Sequence, residues 1–231
     1  MLSQHELGIV LLSLRVAILA VVLSAPFAIA TAWVLSRRAF PGRALLNSLV
    51  HLPLVLPPVV TGYALLRLFG RQGVVGAWMA ETLGVTFVFQ WTGAALAAAV
   101  MGFPLMVRAI RLALESVDPA LEDAAATLGA SPARTFFTVS LPLALPGVLA
   151  GVILAFAKAL GEFGATITFV SNIPGETQTL ALAIFSLLDT PGGEPAVLRL
   201  VWISIAVSVT ALVASEWLAQ RAAGGRERRP R

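Results

Sequence analysis

Long uncharged apolar runs alternate with short charged breaks along this chain. Val16 to Leu35 carries no charge, and its apolar character reaches back to Leu7. Ala44 to Leu66 follows, interrupted only by neutral His51, and then Phe87 to Val107 and Thr135 to Ala157. Leu200 to Ser215, completed by Leu198 and Leu218, closes the series. A helix that crosses a bilayer needs about 20 predominantly apolar residues. The pattern therefore predicts spans at about 9–35, 46–68, 87–109, 136–158 and 198–218. The first run is too long for the apolar part of a signal peptide and has no basic stretch before it, so it is expected to be a retained span.

One stretch resists this scheme. Residues 161–195 include Thr179 to Leu188, where Leu180, Ile184, Leu187 and Leu188 share one helical face. Pro174, Gly175, Pro191 and Gly192 break it up. An external re-entrant or interfacial helix is expected there, with a half-length sixth span as the alternative.

Composition narrows the class. The chain is 58% hydrophobic and 12% charged, with a mean hydropathy of +0.89. Soluble domains carry about 25% charged residues, so the composition argues against an ordinary water-soluble globule, and such hydrophobicity excludes disorder. The absence of cysteine removes disulfides, thiol catalysis and thiolate metal sites. His5 and His51 show no metal-ligand spacing, and neither a metal nor a cofactor is expected.

Charge placement then orients the spans. Arg37, Arg38 and Arg43 lie in the first connection, and Arg108, Arg111 and Arg134 in the third. Arg221, Arg226, Arg228, Arg229 and Arg231 lie in a basic tail at 221–231. Loops on the cytoplasmic side carry the Lys/Arg excess. The N-terminus is therefore expected outside and the C-terminus inside. The net charge of +4 reports topology and lipid headgroups, not nucleic acid.

Proline is frequent within the apolar runs: Pro53, Pro57 and Pro58, then Pro104, Pro142 and Pro146. Each removes a backbone donor and crowds the preceding turn, which suits helices that bend. Small residues cluster at Gly93 to Ala99 and at Gly147, Ala150 and Gly151, where helices can approach closely. Lys158 and Glu162 are four apart and either pair or face a pathway mouth. Arg15 either reaches toward headgroups or pairs at a subunit interface. An intramembrane enzyme would need a nucleophile with its base, or paired acids; Glu162 with Lys158 is the lone candidate, so no catalytic residue is assigned.

The third connection carries the most specific signal. Asp118 is a good N-cap and Pro119 suits the first helical position. Glu122 and Asp123 lie in early turns, where the helix dipole favours acids. Gly129 can end the helix in the left-handed conformation, and Ser131-Pro132 restarts the next. A short helix over about 119–129 is expected, with Leu121, Ala124, Ala125 and Leu128 on one shallow apolar face. Such an element suits docking.

Asp123-Ala124-Ala125, Gly129, Val139 and Leu141-Pro142 stand in a pattern that resembles the signature loop of binding-protein-dependent ABC-transporter permeases. That signature is Glu-Ala-Ala, three residues, Gly, nine residues, Ile, one residue, Leu-Pro. Asp123 and Val139 depart from it conservatively. Leu52 to Val60, Gly161 to Ala165 and the chain length extend the resemblance, which is greatest to the molybdate branch and next to its sulfate/thiosulfate sister.

The resemblance implies an all-α polytopic membrane protein with the type I ABC importer permease fold, about five transmembrane helices and a cytoplasmic coupling helix. It implies a homodimer in a bacterial inner membrane, two ATPase subunits inside and a solute-binding protein outside. Glu122, Asp123, Ala124, Ala125, Leu128, Gly129, Ala130 and Ser131 would dock the ATPase. Pro142 and Pro146 would serve as helix hinges. The cargo would be a tetrahedral oxyanion, molybdate or tungstate before sulfate, with Glu162, Thr166 and Thr168 as candidate pathway residues. The chain has no phosphate-binding Gly-rich Lys-Ser/Thr motif, so it would be a permease subunit and not the ATPase.

Overall fold

The computed structural model describes residues 3–227, with side chains to residue 214. The basic tail expected at 221–231 therefore lies outside the residues whose side chains are described. The helices are α1 (Gln4–Arg37), α2 (Arg43–Val55), α3 (Pro58–Phe69), α4 (Val74–Leu83), α5 (Trp91–Glu115), α6 (Pro119–Thr127), α7 (Pro132–Thr135), α8 (Leu141–Leu160), α9 (Gly164–Val170), α10 (Leu180–Leu188) and α11 (Glu194–Glu227). A π-helical turn, Phe136–Ser140, joins α7 to α8. No strand occurs among the described residues.

Three long helices form the centre. α1 and α5 run parallel, because Arg37 near the end of α1 donates to the carbonyls of Leu114 and Val117 near the end of α5. α8 runs antiparallel to α5: Ala155 lies against Gly102, and Gly151 against Met106. A side chain on Gly147 would collide with Ala113. Small residues set this spacing, as the sequence suggested: Ala94, Ala95, Ala97 and Ala98 are buried with Val16, Ala17 and Phe169. At the other end Leu35, Met106, Ile110 and Leu114 form a second core. In lipid, close van der Waals contact between helices replaces much of the hydrophobic drive.

Among the described residues four helices are long and apolar enough to cross a membrane, or five if the bent pair α2 and α3 counts as one broken span. The expected second span at 46–68 is thus no single helix. It turns through 114° between Val55 and Pro58. Pro57 and Pro58 each lack an amide donor, and a residue before proline is pushed out of the helical region. Leu56 (ψ 144°) and Pro57 (ψ 134°) are accordingly extended.

Residues 161–195 hold two short helices, α9 and α10, in place of one. Ser13 of α1 accepts a hydrogen bond from the Leu180 amide at 2.7 Å and so caps α10 from a distance. Ile9, Leu180, Ala183 and Leu200 join α1, α10 and α11, and Glu6 pairs with Arg199 at 2.8 Å. α4, which the sequence left as a connection, is a ten-residue helix ended by Gly84 in the left-handed region.

Candidate functional site

α6 forms as its local sequence dictates. Asp118 Oδ1 accepts from the Ala120 amide at 2.9 Å, and Pro119 takes the first helical position. Gly129 adopts φ +83°, its amide bonds the Ala126 carbonyl, and the Ala130 amide bonds that of Ala125. This paired closure satisfies the final carbonyls and needs a left-handed residue at Gly129. Ser131 Oγ accepts from the Arg134 amide at 3.3 Å and starts α7.

α6 is tied to the bundle through Glu122. Its Oε1 accepts from Arg37 of α1 at 2.8 Å and from Ser140 Oγ in the π turn at 2.6 Å. Arg37 also donates to the Leu114 carbonyl at 2.9 Å. One carboxylate thereby joins α6, the end of α1, the end of α5 and the entrance of α8. Bonds to a charged group are the stronger kind. Asp123, the acid in the signature position, is exposed instead and makes no hydrogen bond or ion pair among the described residues. Ala124 and Ser131 are exposed, while Ala125 and Ala130 are half-buried. Leu128 is 89% exposed, with exposed Leu121 and Phe137 nearby in sequence. An apolar surface so open on a capped, anchored helix is one that a partner would cover.

Pro142 lies one residue past Leu141, which closes the π turn by bonding its amide to the Phe136 carbonyl across five residues. The widened turn fits a proline that can offer no amide. Pro146 lies inside α8, which continues to Leu160.

The remaining candidates gather where α3 meets α9. A Cβ on Gly62 would sit 2.6 Å from the Ala165 carbonyl oxygen, and one on Gly164 would sit 2.7 Å from the Pro58 ring. Thr166 is buried, and the Thr168 hydroxyl bonds back to the Gly164 carbonyl at 2.8 Å. Thr61 of α3 is buried with an unpartnered hydroxyl. Glu162 is buried below this seam; its Oε2 accepts from Lys158 at 2.6 Å and its Oε1 from the Ala165 amide at 3.0 Å. Of the two readings of Lys158 and Glu162, pairing is what the geometry displays.

Arg15 lies 3.7 Å from the Trp91 ring centroid, a cation–π contact between α1 and the start of α5. A cavity of about 640 Å³ between α1, α2 and α5 is walled by Leu23, Phe27, Leu49, Pro53 and Phe103. It is too apolar to stabilise an anion. Sequence reasoning missed Arg37, Ser140 and Thr61 as site residues. The basic end of α1 was the signal for Arg37; nothing local marked the other two.

Comparison with known proteins agrees with this architecture. Residues 24–224 match the family described as binding-protein-dependent transport system inner membrane component. The molybdenum transport system permease protein ModB of Escherichia coli (strain K12) is 61% identical over 219 residues, covering 95% of this chain and 96% of that one. ModB of Haemophilus influenzae is 55% identical, covering 94% of each. The sulfate transport system permease protein CysT of E. coli (strain K12) is 40% identical over 75% of this chain and 62% of its own. A bacterial ABC transporter involved in the import of alginate has the same fold, with a TM-score of 0.76 at 17% identity over 95% of this chain and 80% of that one. With one family model spanning most of its length and relatives this similar, the chain belongs to the inner membrane components of binding-protein-dependent transport systems.

Proposed function

We propose that this chain is the membrane-spanning subunit of an ATP-driven importer of molybdate. The observation that carries the reading is the 61% identity to E. coli ModB over nearly the whole of both chains, against 40% over part of the sulfate permease. Two copies of the chain form the translocation unit, with two ATPase subunits on the cytoplasmic side and a solute-binding protein outside. The exposed apolar side of α2, which buries no residue, supports a second copy. The N-terminus is outside and the C-terminus inside. ATP is hydrolysed by the partner subunits alone.

In this reading α6 is the coupling helix. Leu121, Ala124 and Leu128 rest in a groove of the ATPase, and the sharp turn at Gly129 and Ala130 fixes the exit angle. Asp123 faces the ATPase, whereas Glu122 faces the bundle and transmits motion to α1, α5 and α8. Closure of the ATPases biases a two-state equilibrium between inward- and outward-open forms. The π turn before Pro142, with Pro146 one turn beyond, is where α8 bends. The anion passes near the α3–α9 seam, with Thr166 and Thr168 as lining hydroxyls once the seam opens. Selection of molybdate over sulfate rests mainly with the binding protein.

Cells deprived of their own molybdate permease test this reading. Expression of this chain with its ATPase and binding protein restores molybdenum accumulation from scarce molybdate. Restoration of sulfate uptake with no effect on molybdenum assigns the chain to the sulfate branch instead.

A further inference from the structure

The Lys158–Glu162 pair closes the end of α8, with Lys158 in its last turn and Glu162 just past it, buried in the bundle. Continuing the antiparallel register of α8 on α5 places Lys158 level with Ala99, roughly 12 Å along α5 from Trp91. α9 packs beyond it, with Val170 against Gly93. Ionisable groups within membrane-spanning bundles pair, and they face protein or a water-filled cavity. Glu162 satisfies this rule: its side chain is 1% exposed and both oxygens are bonded. Lys158 satisfies only half of it. Its side chain is 31% exposed, and Leu154 one turn earlier on the same face is 46% exposed. An ammonium carries three donors. One goes to Glu162, and the others have no partner among the described residues. Arg15, by contrast, is exposed and lies over the Trp91 ring, away from Glu162.

We propose that Lys158 faces the water-filled pathway between two copies of the chain and contacts the translocated oxyanion, with Glu162 as its positioning partner. The inference rests on the importer reading above. Glu162 neutralises the pair, so Lys158 offers N–H donors without a net positive trap. An ion must bind well enough to enter and weakly enough to leave, and a neutralised lysine meets both requirements.

The test uses the complete importer in vesicles with cysteine-free partner subunits; this chain has no cysteine of its own. Lys158→Cys is expected to react with a water-soluble aminoethyl methanethiosulfonate. Uptake of labelled molybdate falls at least about tenfold in Lys158→Cys and Lys158→Met, the worth of a charge-assisted hydrogen bond. The cationic adduct on the introduced thiol and the variant Lys158→Arg restore most of it, whereas an anionic adduct does not. In Lys158→Met with Glu162→Gln, the double variant stays slow. Failure of the thiol in Lys158→Cys to react in any nucleotide state overturns the inference. So does wild-type uptake in the double variant, which would reduce Lys158 to a mate for Glu162. If the wild-type vesicles take up no molybdate, the importer reading itself fails, a different outcome from normal uptake by Lys158→Met, which overturns the lysine inference alone.

Discussion

At the scale of single residues, two neighbouring acids on α6 have different work. Glu122 is held by Arg37 and Ser140, while Asp123 points away from the bundle. Glu122→Ala leaves the Arg37 guanidinium half-buried without its carboxylate. It is expected to lower stability by about 2 kcal/mol, read as an earlier melt of the purified permease in detergent. Asp123→Asn leaves that melt unchanged and lowers ATP hydrolysis stimulated by the loaded binding protein. Equal melting of the two variants would contradict the division. Gly62 is a second residue with a sharp requirement, since any side chain meets the Ala165 carbonyl. Gly62→Val is expected to cost about 1–3 kcal/mol by overpacking, measurable in the same melt. The sequence displayed some of this chemistry and hid the rest. Lys158 and Glu162 were legible because only four residues separate them, although Glu162 lies just past the end of α8 and not on the helix. Arg37 and Glu122 were not, because 85 residues separate them and only the parallel packing of α1 on α5 joins them.

Elements were legible where their signals are local. α6 carries its own start and stop in Asp118, Pro119 and Gly129, so its place could be read directly. The prolines of the second apolar run announced a bend, but its size of 114° depends on how α3 packs against α9. α4 and α9 escaped notice because both are short and start without a side-chain cap, at Gly73 and Phe163. Replacing Pro57 and Pro58 together by alanine restores two amide donors and favours a continuous helix. Spin labels on cysteines placed at Ser48 and Leu66 are then expected to move apart, and uptake to fail. An unchanged distance would mean that packing alone, and not the prolines, holds the bend.

For the whole molecule, scarcity of charge is the organising fact. The chain is 12% charged, so each ionised group inside the bundle either anchors an element, as Glu6 and Glu122 do, or marks a path, as Lys158 is proposed to do. Basic residues flank alternate connections, which in the proposed topology places both ends of α6 in the cytoplasm. Cysteines introduced at Gly129 and at Gly175 are expected to react with an impermeant thiol reagent from the inner and outer faces respectively; reaction of both from one face would contradict this topology. In the proposed function this bundle moves molybdate at the expense of ATP. The most direct measurement is uptake of radiolabelled molybdate into vesicles holding the permease with its ATPase and molybdate-loaded binding protein. Uptake is expected to require ATP on the ATPase side and to persist in a large excess of sulfate. Uptake without ATP, or sulfate uptake undiminished by excess molybdate, would contradict it.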